Sequence, residues 1–441
     1  MDIDADRVAG WIEGLARRPD EIADVFVERR HSLAIDWKDG ESVRARLVKD
    51  GGLAARCQDG GRQQLCFVSG TDETSAREAI RELQREWNRE RLPVRARHES
   101  QASHDALPAQ WERWNKRLSS MLERLAPRHQ FRCTLTETTR QVIPAHGAAA
   151  ASFMRRFVSL EGSIVAASRH GDETRTLSFH APDADTTADE LRAALTRAAE
   201  PRDAPTPAGD GETDVVLAEG CAAVLFHEIL SHPLEADCES PLTALEQARV
   251  AVSELDIRDD PSRLDLFGGY ERDDEGELPR TVKLLDAGRL AGRLTDRTHA
   301  GRGGSNGHGR RAHAWDPPLP RGANLLVAGG QATTDEMMRR LGSGLWITDL
   351  DRGSVELSSG RFRLLFPRAR RIRRGRMADS CGAGLLAGDI LTALKSVEAG
   401  LGREARTYRA LGWCARDGQV VPVGGSAPDI LLRSLAIRSL A

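Results

Sequence analysis

Two histidines stand five residues apart in His227-Glu228-Ile229-Leu230-Ser231-His232, and no other feature of the chain restricts the local backbone as much. The stretch reads as a helix. The run Asp214 to Ala218 before it is strand-like and apolar, and Gly220 to Phe226 leads into the motif as a helix of small and apolar residues. On a regular helix, residues at i and i+4 lie roughly 40° apart and those at i and i+5 roughly 140° apart. Two imidazoles at this spacing therefore cannot face one point unless the helix is distorted. Pro233 follows His232 directly and biases it away from the αR region, which places His232 where the helix ends. Unwinding of the last turn, or a π-type bulge within it, brings the second imidazole back toward the first.

Such a distortion has a chemical purpose. Two histidines and a carboxylate on an otherwise buried helix are costly unless something pairs with them. Neutral imidazole is a good zinc ligand, and a carboxylate beside the metal can take a proton from water. The HExxxH spacing is one residue longer than that of the familiar HExxH zinc sites. Catalytic zinc usually has three protein ligands, and a thiolate would complete a His2Cys set. The chain offers Cys57, Cys66, Cys133, Cys221, Cys238, Cys381 and Cys414, and the chemistry by itself does not choose among them.

The residues from Asp214 to Asp237, including Leu234-Glu235-Ala236-Asp237 after the histidines, resemble the strand, helix and metal motif of the TldD/PmbA family of metalloproteases. Asp273-Asp274-Glu275-Gly276, the turn around Asp286 to Leu290, Gly307 to Arg311, Pro320 to Asn324 and Cys414 to Gly424 follow in the family's order. The resemblance is strong from about residue 212 onward and looser before it. It implies that the third ligand is Cys414, which precedes a Gly-Gln and a Pro-Val-Gly; Cys381, also set among glycines, reads as a small residue in a turn before the helix starting near Asp389. The chain departs from the family at Ser231 and Pro233, where active members carry glycine, and at His308, where asparagine is common. His308 is read as a loop residue.

The resulting expectation is a zinc-dependent peptidase acting on extended or unfolded peptides. His227, His232 and Cys414 hold the metal, and Glu228 is general base on a zinc-bound water. Glu235 or Asp237 is placed to hydrogen-bond a ligand histidine. The family also implies a dimer, either with itself or with a PmbA/TldE-like chain that lacks the metal motif. Two rivals stay open. One is a metal-binding scaffold or peptide-holding subunit without hydrolysis, with Cys238 as a fourth ligand. The other is a zinc hydrolase of a non-peptide amide.

At 441 residues the chain is too long for one ordinary domain. Strand-like runs at 24–28, 33–37, 42–48, 53–57 and 64–68, with turns at Asp39-Gly40 and Gly51-Gly52, read as an antiparallel meander. Helices are expected at 7–17, 72–87, 187–198, 334–340 and 389–397, and strands from Phe131 to Leu177. The stretch 93–109 reads as a connection, and 201–211 as a linker. Strands grouped apart from helices give an α+β class, with an N-terminal domain at 1–205 and a β-rich C-terminal domain at 212–441 bearing the metal helix. The Arg368 to Arg376 run reads as a hairpin with a solvated face, and the net charge of −3 gives no reason to expect nucleic acid. Seven cysteines without framework spacing, an acidic start and no long apolar run point to a cytoplasmic protein with no membrane span.

Overall fold

In the computed structural model, Ile22–Lys38 forms one continuous strand. It pairs antiparallel with Glu41–Asp59 on one side and His129–Pro144 on the other. The structure describes residues 3–15, 21–39, 41–59, 62–87, 101–103, 112, 116, 119–121, 129–145, 150–168, 171–182, 187–199 and 206–440. Arg62–Val68 extends the sheet at one end, and Ala151–Ser168 and Gly171–Ala181 extend it at the other. Gln101–Ser103 pairs with Glu41–Asp59. The remainder of the expected 93–109 connection lies outside the described residues, as do 201–205 of the expected linker. From Thr206 the chain is tied down, because Thr206 N–H donates to Ser380 O at 2.8 Å.

The Gly51-Gly52 turn expected from the sequence is instead the middle of a strand. A Cβ on Gly52 would fall 2.3 Å from the Phe67 ring, and one on Gly51 would fall 2.1 Å from Glu28 O. The glycines are there because neighbouring strands pass close by, not because the chain reverses. Two runs read as separate strands are thereby joined.

Side chains alternate across this sheet. On the Ile22–Lys38 strand, Val25, Val27, Leu33, Ile35 and Trp37 are buried, and they belong to the two apolar clusters built with helices Ala5–Ile12, Glu73–Trp87 and Ala188–Ala199. The even residues Asp24, Phe26, Glu28 and Arg30 meet the C-terminal half. Phe26 packs in a cluster with Ala314, and Arg30 donates to Ala312 O at 2.6 Å. Buried ion pairs cross the same boundary: Arg56 to Glu275 at 2.8 Å and Arg140 to Asp274 at 2.7 Å.

The C-terminal half holds an eight-stranded sheet in which Gly211–Leu217 lies between Ile430–Ser439 and Gly344–Ile347. A six-stranded sheet runs through Ile257–Asp259, Asn324–Val327 and Gly424–Ala427. The helix Ala222–Phe226 follows Gly211–Leu217 and packs on Asn324–Val327 and Gly424–Ala427, while the turn after it meets Arg352–Glu356 of the larger sheet. All five residues of this helix are buried. The expected hairpins form at Asp286 to Arg289 and Arg373 to Arg376, each with two central residues of positive φ that suit a two-residue turn. The class is α+β and sheet-rich. Among the described residues no helix is long and apolar enough to cross a membrane.

Candidate metal centre

His227–Ser231 is a π-helical turn, followed by a 3-10 turn at His232–Leu234. The His232 N–H donates to His227 O, closing the ring at i+5. A chain closed this way turns roughly 80° per residue, so His227 and His232 fall about 40–50° apart instead of about 140°. The distortion is the one the spacing demands. His232 itself keeps φ −59° and ψ −47°, so the expectation that Pro233 drives it out of αR is wrong. Proline acts through its missing N–H: residue 233 cannot donate to the carbonyl four residues back, and regular α-helix cannot continue through it.

Cys414 arrives from far along the chain on Trp413–Arg416, which forms a hairpin with Gln419–Pro422 through an Asp417-Gly418 turn of positive φ. Its Sγ lies 3.3 Å from His227 Nε2 and 3.2 Å from His232 Nε2. The donor atoms of all three residues lie within 4.8 Å of one another, and all three side chains are buried. Donors set tetrahedrally at about 2.0 Å for nitrogen and 2.3 Å for sulfur would be separated by roughly 3.3–3.6 Å, so the spacing suits one zinc-sized ion. Among the described residues, no fourth His, Cys, Asp or Glu joins the group. Cys238 faces Arg416 Nη1 at 3.1 Å, and burial pushes its thiol up to about 12.

Electrostatics favour a thiolate. Burial raises the Cys414 pKa, but His232, His227 and Arg321 outweigh it and hold it well below the ordinary value. For His232 burial disfavours charge, and Cys414 with Glu235 outweighs it and holds the imidazole well above its usual range. Glu235 is fully buried and accepts from His232 Nδ1 at 3.2 Å, which is the supporting role expected of Glu235 or Asp237. Asp237 instead pairs with Arg416. Glu228 is half-buried, and burial raises its carboxyl pKa.

Two arginines were not foreseen. Arg321, fully buried, donates from Nη2 to Cys414 Sγ at 3.0 Å and to Cys414 O at 2.9 Å. Arg416 bonds Glu235 and Asp237. Its placement two residues from Cys414 on one strand puts both on one face, a signal the sequence did carry. His308 is buried away from the three donors, bonded to Asn306 at 2.9 Å and Asp259 at 3.2 Å, and Asp259 also accepts from the Ala323 N–H. It holds the loop carrying Arg321. Cys381 is not in a turn: it ends the strand Arg376–Cys381, fully buried, because its side chain packs in the main apolar core.

A sequence model described as the PmbA/TldA metallopeptidase C-terminal domain matches residues 210–439. A metalloprotease of Methanothermobacter thermautotrophicus is 30% identical over 237 residues, covering 53% of this chain and 51% of its own. A Buchnera aphidicola metalloprotease TldD homolog is 29% identical over 233 residues, 52% of this chain and 48% of its own. The matched region thus spans about half the length of these relatives. In structure the chain is similar to TldE from Thermococcus kodakarensis, with TM-score 0.73, 15% identity and 98% of each chain covered. That likeness is one of fold.

Proposed function

The chain belongs to the PmbA/TldD metallopeptidase family, and on that premise we propose that it is a zinc-dependent peptidase of extended or unfolded peptides. The observation that carries this reading is the convergence of His227 and His232 with Cys414 on one buried point. A zinc ion there would polarise a carbonyl and acidify water. Glu228, next in the chain to one ligand and raised in pKa by burial, takes the proton of the attacking water and returns it to the leaving amine. Glu235 holds His232 by its Nδ1 and fixes which nitrogen is left for the metal. Arg321 keeps Cys414 in the thiolate form. Three protein donors, with no fourth grouped with them among the described residues, suit a catalytic site better than a closed structural one.

The strand Arg352–Glu356 is the edge of the eight-stranded sheet and borders Glu228. An extended peptide added to this edge would be held by its backbone, which suits weak side-chain preference. The catalytic unit in this reading is residues 212–441, with 1–205 as a second domain. In this reading the chain works as a dimer, with itself or with a TldE-type partner, as the family resemblance implies.

The test is metal content by elemental analysis, with peptide cleavage assayed on the same samples of wild type, Cys414→Ala and Glu228→Gln. About one zinc per chain in wild type is expected, lost with activity in Cys414→Ala. Glu228→Gln keeps the metal and loses at least a hundredfold in kcat. Equal metal in wild type and Cys414→Ala would overturn the ligand set, and full activity of Glu228→Gln would overturn its role.

A further inference from the structure

Gly322 lies where the two chain segments that supply the candidate metal ligands come together. A Cβ on it would fall 2.3 Å from Ser231 Oγ, so its loop lies against the π turn that carries His227 and His232. Its N–H donates to Glu235 Oε1 at 3.2 Å, and Glu235 holds His232. Cys414 comes from the other segment, the hairpin in which Trp413 pairs with Pro422. Beyond Gly322 and Pro422 the two chains run together as the parallel pair Asn324–Val327 and Gly424–Ala427, and the Gly424 N–H donates to Ala323 O at 2.8 Å. Before that bond, among the described residues, no backbone hydrogen bond joins them.

The Arg310 side chain spans the two chains there. Its strand, Gly309–Arg310, pairs with Leu319–Pro320, and its guanidinium donates from Nη1 to Gly322 O and from Nη2 to Pro422 O, the latter at 2.7 Å. It lies 5.1 Å from the Tyr270 ring centre, and Arg155 of the N-terminal sheet lies 4.6 Å from the same ring. Tyr270 is itself tied by its hydroxyl, which donates to Gly307 O at 2.8 Å. Arg310 is 1% exposed, its Nε has no partner, and among the described residues no carboxylate pairs with it. Burial works against its charge and draws its pKa below the ordinary arginine value. An unpaired buried cation is costly, and an apolar side chain of similar size would fill the place at less cost. What a guanidinium adds is two N–H groups in a rigid fork, so that bonding both carbonyls also fixes them relative to each other.

We propose that Arg310 is a positioning residue that sets the separation between the His227–His232 turn and Cys414 by clipping Gly322 to Pro422. This rests on the metal site proposed above. Its part differs from that of Arg321, which donates to the Cys414 sulfur itself, because Arg310 bonds main-chain oxygens of the two segments. Loss of a group that orients metal ligands typically lowers metal affinity roughly 10–100-fold.

The experiment compares the full chain as wild type, Arg310→Met, Arg310→Lys and, as a control destabilised away from the site, Cys381→Ser. Zinc affinity is read by chelator competition, kcat and KM by peptide cleavage, and hydrogen exchange of the 413–423 amides by mass spectrometry on metal-free protein. Arg310→Met should weaken zinc binding roughly tenfold or more, lower kcat while KM stays within about threefold, and speed hairpin exchange roughly tenfold. Arg310→Lys keeps the charge without the fork and should lose nearly as much. Wild-type zinc affinity and exchange in Arg310→Met overturn the clip, as does full affinity in Arg310→Lys. An equal zinc loss in Cys381→Ser also overturns it, since general stability would then account for the effect. Should Arg310→Met fail to fold, Arg310→Lys decides alone. If wild type binds no zinc, the peptidase reading falls separately, and the exchange decides the clip: faster hairpin exchange in the variants supports it and unchanged exchange overturns it.

Discussion

Gly353 owes its identity to Glu228. A Cβ at this position would stand 2.6 Å from Glu228 Cγ and 2.8 Å from Leu364 Cδ2, closer than real contacts allow, so the edge strand can border Glu228 here only where a side chain is missing. Gly353→Ala should push Glu228 out of place and lower kcat about tenfold or more while zinc content stays at the wild-type level; parallel kinetics and elemental analysis check both halves. Cys381→Ser provides the contrast. It sets a hydroxyl in an apolar core 0% exposed, so melting should show a loss of roughly 1–2 kcal/mol with the metal retained. At this scale the sequence was most legible where chemistry is local: the spacing of His227 and His232 called for a distorted helix, and a π turn is what the chain forms there. Arg321 was not legible, because an arginine that supports a thiolate reads the same as one facing solvent until the chain has folded around it.

The π turn at His227–Ser231 illustrates what an element adds to a motif. Five-residue spacing can serve one ion only if the helix widens, and Pro233 denies the N–H that would otherwise tighten it. Pro233→Ala restores that donor, and the turn should relax toward α, with zinc affinity falling about tenfold in a chelator competition. Strand boundaries were less legible than strand existence. The Asp39-Gly40 reversal was expected and the strands on either side of it do pair as a hairpin, but Gly51-Gly52 runs straight through a 19-residue strand. A glycine pair that turns and one that lets Phe67 pass overhead look identical in sequence, since the difference is made by a neighbouring strand.

Across the whole molecule, the two halves are joined by buried charge. Burial works against the Asp274 carboxylate, but Arg140 and Arg155 outweigh it and hold its pKa down at about 2. Because the folded value lies below that of the unfolded chain, the associated stability is present above about pH 4 and is lost as pH falls toward 2. It amounts to roughly 2 kcal/mol. Wild type should therefore lose stability on acidification through this window, and Asp274→Asn should show a flatter slope there. Equal slopes in urea melts across pH 2–5 would show that the carboxylate does not carry the effect. What the sequence determined by itself was local: alternation that makes strands, amphipathic helices, hairpin turns, and two histidines with a carboxylate on a buried helix. Tertiary structure decided which thiol reaches them, 187 residues from His227, which arginines hold that thiol, and which sheet face carries charge instead of apolar side chains. Spacing along the chain governs what neighbours can do together, whereas convergence of distant residues depends on how sheets pack, and burial gives each charge its partner only once that packing exists.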